Sequence, residues 1–202
     1  MTIRLIRPLA AAAAAFIALA ACTSAPIGAF NDYVLTKTQV QPAYDVGNFR
    51  FLHANQQMPV AVAGGVLGES PQALGEALAD HMTGRTPAGR TEFVYRPDVP
   101  ADASRLAVKA DPPIDMSARS LCAGERLDES AEKTAAGAAT LLIAYCNRDH
   151  VLSATRLTVD VSRDRRGLAA PAFRRGAQLA ARLLFPIRDP NDDPDPFWRM
   201  RN

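Results

Sequence analysis

The segment 59–84, PVAVAGGVLGESPQALGEALADHMTG, decides the fold class because it contains a strand, a turn and a helix in succession. Its start, rich in Val and Ala, predicts a buried strand. Ser70 is suited to cap a helix whose first position is Pro71; apolar residues then recur at four-residue spacing, and Gly84 marks the end. A strand that leads directly into a helix indicates layers of sheet and helix packed on one another.

Further strands are predicted on both sides of this unit. The segments YVLTKTQVQP (33–42), RTEFVYRP (90–97) and SRLAVKADPP (104–113) are rich in strand-forming residues. Residues 139–161, ATLLIAYCNRDHVLSATRLTVDV, predict two strands joined by the turn Asn147–His150, and therefore a hairpin.

A last helix is predicted between Pro171, which opens it, and Pro186, which follows it. One apolar face of this helix comprises Phe173, Ala177, Ala180, Leu183 and Leu184. The order strand, helix, several strands, helix predicts an α+β fold. We expect a single sheet, mostly antiparallel and with mixed pairing left open, that carries its helices on one face.

The amino-terminal segment has the features of an export signal. Arg4 and Arg7 precede an unbroken apolar run from Leu9 to Ala21, and Cys22 follows. The run is shorter than the about 20 residues that span a membrane, but it suits the apolar region of a secretory signal. A plain signal peptide in which Cys22 is accidental remains an alternative.

The sequence Leu19-Ala20-Ala21-Cys22 resembles the bacterial lipobox at every position. The resemblance implies that the Cys22 thiol receives a diacylglycerol, that the signal is cut before Cys22, and that the new amino group is acylated, typically with palmitate. Several acyl chains hold a protein stably on a membrane, whereas one does so only marginally. By similarity to the sorting of Gram-negative lipoproteins, Thr23 after the cysteine implies the outer membrane.

The charge of the mature chain argues against nucleic acid as a partner. Residues 1–21 contain two Arg and no acid, so Lys+Arg falls from 23 to 21 and equals the 21 Asp+Glu. A neutral chain lacks the basic footprint of a nucleic-acid-binding protein. The membrane contact that we expect is the lipid on Cys22.

Cys122 and Cys146 remain once Cys22 is lipidated. Outside the inner membrane the environment is oxidising, so this pair predicts a disulfide. Two free buried thiols are the alternative. A metal site needs further ligands at tight spacing, which neither cysteine has, and the sequence predicts no metal and no cofactor.

The mature domain loosely resembles a group of envelope lipoproteins and domains. Segment 59–84 together with TEFVYRP (91–97) is similar to the strand, loop, helix and strand of the curli-secretion lipoprotein, of the lipoprotein activators of penicillin-binding proteins and of the TolB amino-terminal domain. The resemblance implies an accessory or assembly role. The chain departs from the group in having Gly64 and Gly65 where several members have a Phe-x-Asn sequence.

No catalytic motif is recognisable, so we expect that the protein is not an enzyme. The glycines of AVAGGVLGES match neither a phosphate loop nor a dinucleotide turn. Asp80-His81 and Asp149-His150 are interpreted as solvated pairs, one on a helix and one in a turn, and His53 has no recognisable partner in the sequence. An exported hydrolase with its catalytic groups on separate loops is the alternative, and so is a small-ligand carrier.

Two segments are candidates for recognition. Arg163, Arg165 and Arg166 concentrate positive charge before the last helix, which suits anionic lipid or an acidic partner. Phe197 and Trp198 lie beside arginines near the carboxyl end, and aromatic residues and Arg are favoured in interfaces. The alternatives are a solvated loop for the first segment and, for the second, a disordered tail or one folded on its own domain.

These observations divide the chain into a signal peptide (1–21), a lipidated cysteine with its tether (22–32), a globular domain (33–187) and a flexible tail (188–202). The sequence predicts a non-catalytic lipoprotein of the Gram-negative cell envelope. We expect it on the periplasmic face of the outer membrane, bound to another envelope protein.

Overall fold

The fold is an α+β arrangement built on one mixed sheet of six strands. The computed structural model describes residues 32–53, 56–100, 102–129, 137–162, 164 and 166–187. Its elements in chain order are β1 (Tyr33–Val40), α1 (Val46–His53), β2 (Gln57–Ala63), α2 (Pro71–Met82), β3 (Glu92–Tyr95), β4 (Ser104–Ala110), α3 (Ala118–Ala123), β5 (Ala138–Asn147), β6 (His150–Asp160), a 3₁₀ turn (Gly167–Ala169) and α4 (Pro171–Leu184).

The strands lie in the order β1-β6-β5-β4-β2-β3. The pairs β1–β6, β6–β5 and β5–β4 are antiparallel, whereas β2 is parallel to both β4 and β3. The sheet is therefore mostly antiparallel with a parallel edge. The parallel edge arises because α2 carries the chain from β2 across to β3, as such connections require.

The main core lies on the face of the sheet that α2 and α4 cover. Ser70 caps α2, since its Oγ accepts a hydrogen bond from Ala73 N at 3.1 Å, and Pro71 occupies the first turn, as the sequence predicts. The helix ends at Met82, two residues before Gly84. Helix α4 begins at Pro171 as predicted, but the face that it buries includes Gly176 and Ala181. Leu183, predicted to be buried, is 36% exposed.

The short helix α3 packs on the opposite face, which differs from the expected placement of all helices on one face. There its Leu121 and Cys122 join a second apolar cluster with Ala107, Leu142 and Ala144. These sheet residues alternate along β4 and β5 with residues of the main core, such as Leu106 and Ile143. Because successive side chains of a strand point to opposite faces, both faces of the central strands are buried.

Candidate functional site

A cavity of about 240 Å³ lies on the face of the sheet that α3 covers. Its floor is made of small side chains, because Ala61 and Ala63 of β2 and Ala107 of β4 line it. Its walls come from the connection between β3 and β4 and from α3 with the turn after it, namely Pro97, Val99, Leu121, Ala123, Gly124 and Leu127. We call this space the α3 cavity.

A disulfide fixes the α3 wall of the cavity to the sheet. Cys122 of α3 is bonded to Cys146 of β5, with their α-carbons 5.5 Å apart, which lies within the range predicted for such a bridge. Both cysteines are fully buried. The predicted pairing of Cys122 with Cys146 is confirmed. Leu121 and Ala123, which flank Cys122, line the cavity.

Three basic residues share the sheet face below α3. In the ladder Lys109 is paired with Leu142, and Leu142 is paired with Arg156. Arg105 lies four residues before Lys109 on β4 and therefore on the same face of the sheet. Arg105 lines the cavity, and its Nη2 donates to Cys122 O at 2.6 Å. Burial lowers the pKa of Arg105 and of Arg156.

Arg156 holds the segment before α3 against the sheet. Its Nη2 donates to Pro113 O at 3.2 Å and to Met116 O at 3.4 Å. Its Nε is buried without a hydrogen-bond partner. Carbonyl groups therefore satisfy part of the hydrogen-bonding capacity of this guanidinium group, as they do for Arg105.

Lys109 is 1% exposed, which makes it one of the largest fully buried side chains. Among the described residues no hydrogen bond reaches its Nζ. The amine lies beside Gly64, because a Cβ built on that glycine would be 3.4 Å from Nζ. Burial lowers the pKa of Lys109, and the negative charges of Asp111, Asp128 and Glu129 counteract part of this shift.

An exposed ion-pair cluster borders this face. Arg126 pairs with Asp115 at 3.1 Å and with Glu129 at 2.7 Å. Hydrogen bonds from Arg126 hold the pKa of Asp115 and of Glu129 below their usual values. The acid-rich segment that contains Glu129 is solvated in its described part, as the sequence predicts, since Glu125 and Asp128 are also exposed.

The three histidines differ in burial. His53 is 6% exposed and lies 3.0 Å from Tyr145 Oη, a partner that the sequence did not reveal. Burial lowers the pKa of His53 and raises that of Tyr145 to about 12.

The interpretation of Asp80-His81 as a solvated pair is wrong for His81, which is 8% exposed because it packs against Phe173 of α4.

His81 has structural partners on both ring nitrogens. Its Nδ1 lies 3.1 Å from the exposed carboxylate of Asp80, and its Nε2 lies 3.2 Å from Leu168 O. A catalytic base must have one nitrogen free to reach a nucleophile or a substrate. In this arrangement His81 joins α2 to the segment before α4.

His150 is solvated, as predicted, and its side chain is 79% exposed. It lines an open hollow of about 480 Å³ together with Asp149 and Ser117. Its Nε2 lies 3.5 Å from Asp149, but no hydrogen bond joins it to Ser117 within the described chain. The Ser117 Oγ instead caps α3 by accepting from Ser120 N at 3.0 Å. The geometry of an activated serine is not formed here.

The predicted lipidation site and the predicted recognition residues lie only partly within the described residues. Cys22, Arg163, Arg165, Phe197 and Trp198 lie outside it. Arg166 is described: its side chain is 63% exposed and pairs with Asp164 at 2.7 Å. The Arg166 hydrogen bonds lower the pKa of Asp164.

The structure shows a group of exposed apolar residues that the sequence analysis did not single out. Phe51 and Leu52 of α1 are 83% and 45% exposed. Leu183 of α4 is 36% exposed, and Ile187, which follows the helix, is 53% exposed. The segment after α4 lies near α1, since the rings of Phe185 and Phe49 are 4.7 Å apart. We call these four residues the α1–α4 patch. A signal was present in FRFLH (49–53), where apolar residues occupy more than one side of a helix.

Within the described ranges, no three His, Cys, Asp or Glu residues are grouped so that they could hold a metal ion. No helix in the same ranges is long and apolar enough to cross a membrane. Comparison of the chain with protein-family models, with curated proteins and with solved structures finds no match.

Proposed function

We propose that the protein is a non-catalytic lipoprotein of the bacterial cell envelope. In this proposal lipid on Cys22 holds it to the periplasmic face of the outer membrane, where it binds another envelope protein. The observation that carries the proposal is the disulfide between Cys122 and Cys146. A buried structural bridge is typical of exported proteins and rare in cytosolic ones, and an exported chain is what the LAAC sequence at 19–22 predicts.

The positions of the strand ends indicate which end of the domain would face the membrane in this proposal. The start of β1 is joined to the end of β6, because Asp160 N donates to Asp32 O at 2.8 Å. The segment that leads to Cys22 and the basic segment after β6 therefore leave from the same end of this strand pair. About ten flexible residues span only about 16–19 Å on average, so this end would lie near the headgroups.

The α1–α4 patch lies at the other end of the same strands. Ser153, near the start of β6, donates from its Oγ to Leu184 O at 2.7 Å, so α4 ends there. Tyr44, just before α1, donates to Pro186 O at 3.2 Å. The basic segment would then meet anionic headgroups, and the apolar patch would face the periplasm and a protein partner. Clustered apolar residues on a surface are typical of interaction sites.

Lipidation is tested by Cys22→Ser, with Cys122→Ala/Cys146→Ala as the matched cysteine control. We expect uncut and unacylated precursor for Cys22→Ser and normal acylation for the control, both measured by intact-protein mass spectrometry. Mature Cys22→Ser protein of normal size in the membrane fraction would contradict lipidation.

Partner binding is tested by photo-crosslinking in intact envelopes. A photoreactive residue at Phe51 or Ile187 should give protein adducts, whereas one at Arg174 should give lipid adducts. Gln72, exposed on α2, is the control position. Equal protein adducts at Phe51 and Gln72 would contradict the α1–α4 patch as the partner site.

The basic segment and the carboxyl-terminal segment are tested separately. Changing Arg163, Arg165 and Arg166 to Ser should weaken membrane proximity, and deleting residues 190–202 should weaken partner capture if Phe197 and Trp198 contribute to it. A sharp fall in thermal stability after either change would show that the segment is structural.

A further inference from the structure

The α3 cavity is open to solvent and has the size of one aromatic side chain. Its floor residues Ala61 and Ala63 are partly exposed, and Pro97, Ala123 and Gly124 on its walls are exposed. An apolar cavity of about 150 Å³ accepts benzene, so one of about 240 Å³ suits a larger ring system such as indole. Trp side chains that fill apolar pockets are frequent anchors of interfaces.

Arg105 favours an aromatic occupant over an aliphatic one. It lines the cavity, and its guanidinium group donates to the carbonyls of Ala103, Cys122 and Arg148. The N–H groups of a guanidinium lie in its plane, so its flat face can still stack on an aromatic ring. Among aromatic rings, the indole of Trp attracts a cation most strongly.

The carboxyl-terminal segment 188–202 follows α4, and α4 ends at the same end of the sheet as the Arg105 side of the cavity. The Oγ of Ser153 on β6 donates to Leu184 O at 2.7 Å, which fixes the end of α4 over β6. In the ladders, Ser153 of β6 and Arg105 of β4 are paired with neighbouring residues of β5. They are therefore nearly level and two strands apart, a separation of about 10 Å.

This segment is long enough to pass from α4 to the opposite face of the sheet. Trp198, the one tryptophan of the chain, follows Ile187 by eleven residues. Eleven extended residues span up to about 36–40 Å. The path crosses two layers of about 10 Å each, in addition to the two strands. The segment before β1 leaves from the other end of the sheet, and residues 130–136 contain no aromatic residue.

The charge beside the cavity is complementary to the residues that follow Trp198. Segments 96–99 and 123–129, which supply walls of the cavity, contain four carboxylates and two arginines. One of these arginines, Arg126, already pairs with Asp115 and Glu129. Glu125 and Asp128 are exposed beside the lining residues Gly124 and Leu127, and we call these two carboxylates the acidic rim. Two cations, Arg199 and Arg201, directly follow the tryptophan.

We propose that the indole ring of Trp198 occupies the α3 cavity of its own chain, stacked on Arg105, with Arg199 and Arg201 at the acidic rim. The disulfide between Cys122 and Cys146 keeps the α3 wall in place for this contact. The inference does not depend on lipidation, and it leaves the α1–α4 patch as the partner site of the proposed function.

The direct test is nuclear magnetic resonance on the full chain, labelled with ¹³C in its alanine methyl groups. We expect nuclear Overhauser effects from the Trp198 ring to the methyl groups of Ala61, Ala63 or Ala107. Ala139, buried on the opposite face, is the internal control and should show none. Overhauser effects from the ring to the α1–α4 patch instead, or to no residue of the domain, would overturn the proposal.

Fluorescence of the single tryptophan gives a second readout. The emission maximum should lie at a shorter wavelength than in urea and should not change on dilution, because the contact is within one chain. Ala107→Leu, which fills the floor, should move the maximum to its value in urea and raise acrylamide quenching to that of the unfolded chain. Replacing the acidic rim by Glu125→Gln/Asp128→Asn should also raise quenching. A maximum that shifts on dilution, or is unchanged in Ala107→Leu, would overturn the proposal, and unchanged quenching in the rim variant would overturn the role of the rim.

Two substitutions in the segment itself leave the domain intact and keep the test decisive where Ala107→Leu fails to fold. Trp198→Ser should shift the methyl signals of the cavity alanines, because the ring current of the indole is lost. Phe197→Ser is the matched control and should leave these signals in place. Equal effects of the two substitutions would show that Trp198 is not the occupant.

Discussion

Removing the disulfide should destabilise the domain by an amount that its loop length determines. Cys122 and Cys146 are 24 residues apart, and cross-linking a loop of this size removes unfolded-state entropy worth about 3.5 kcal/mol at 25 °C in the chain-entropy model. The variant Cys122→Ala/Cys146→Ala should lose somewhat more, because each buried sulfur leaves a small void that adds roughly 1 kcal/mol. For a domain of this size, 3.5 kcal/mol corresponds to about 7–14 °C in Tm.

The assay is urea unfolding followed by far-ultraviolet circular dichroism, with and without dithiothreitol. Circular dichroism is chosen because the one tryptophan of the chain, Trp198, lies outside the described residues. The reductant should shift the unmodified protein close to the variant and leave the variant unchanged. If the unmodified protein has the same urea midpoint with and without reductant, the loop argument is wrong.

The loss should also be local. Helix α3 has only six residues, and isolated helices of that length are not stable in water. Without the bridge, α3 amides should exchange with solvent faster, whereas α4, which packs in the main core, should keep the protection that the global stability gives it. If the amides of α3 and α4 lose equal protection from exchange, the bridge stabilises only the domain as a whole and has no local effect on α3.

Two further predictions concern His53 and Gly75. Because burial lowers the pKa of His53 below 6.5, the unfolded state gains a proton first as the pH falls, so the free energy of unfolding should decrease below pH 6.5. His53→Gln should reduce this decrease in pH-dependent urea unfolding, and an unchanged decrease in this variant would contradict the assignment to His53. Gly75→Ala should destabilise by about 1–3 kcal/mol despite the better helix propensity of Ala, because its Cβ would overlap the ring of Tyr95. Gly176→Ala is the comparison, since the nearest atom there is the flexible end of a leucine side chain, and equal unfolding free energies for the two variants would contradict the packing argument.

The elements with local signals could be predicted from the sequence. Ser70 and Pro71 begin α2, Pro171 begins α4, and the two-residue loop Arg148-Asp149 joins β5 to β6 within the predicted turn. These signals act within a few residues of the chain. The placement of β2 between β4 and β3 could not be predicted, because parallel neighbours depend on contacts between distant segments.

Helices α1 and α3 were missed because they are short and their signals are weak. In α1 the backbone amide of Asn48 donates to Asp45 Oδ1 at 2.7 Å, and Phe49 and His53 are buried one turn apart. Helix α3 is bounded by Ser117, which caps it, and by Gly124 in the left-handed conformation. Such caps are recognisable in the sequence, but six or eight residues give too little periodicity to distinguish a helix from a loop.

Strand β4 shows why the α3 cavity was beyond prediction. Its sequence, SRLAVKA, alternates Leu106 and Val108 with Arg105 and Lys109, a pattern that indicates one buried and one solvated face. In the structure both faces are buried, because the disulfide and the hydrogen bond from Arg105 to Cys122 O hold α3 over the charged one.

Lys109 is buried in the folded domain, and burial of a charged group is costly unless the charge is paired and hydrogen-bonded. Replacing a buried charge with an apolar residue of similar volume is often neutral or stabilising. We therefore expect Lys109→Met to equal or exceed the unmodified protein in free energy of unfolding at neutral pH. The difference should shrink as the pH approaches 10.5, because Lys109 then loses its proton in the unfolded state as well. A large loss of stability in Lys109→Met at neutral pH would instead show that the buried amine stabilises the folded state.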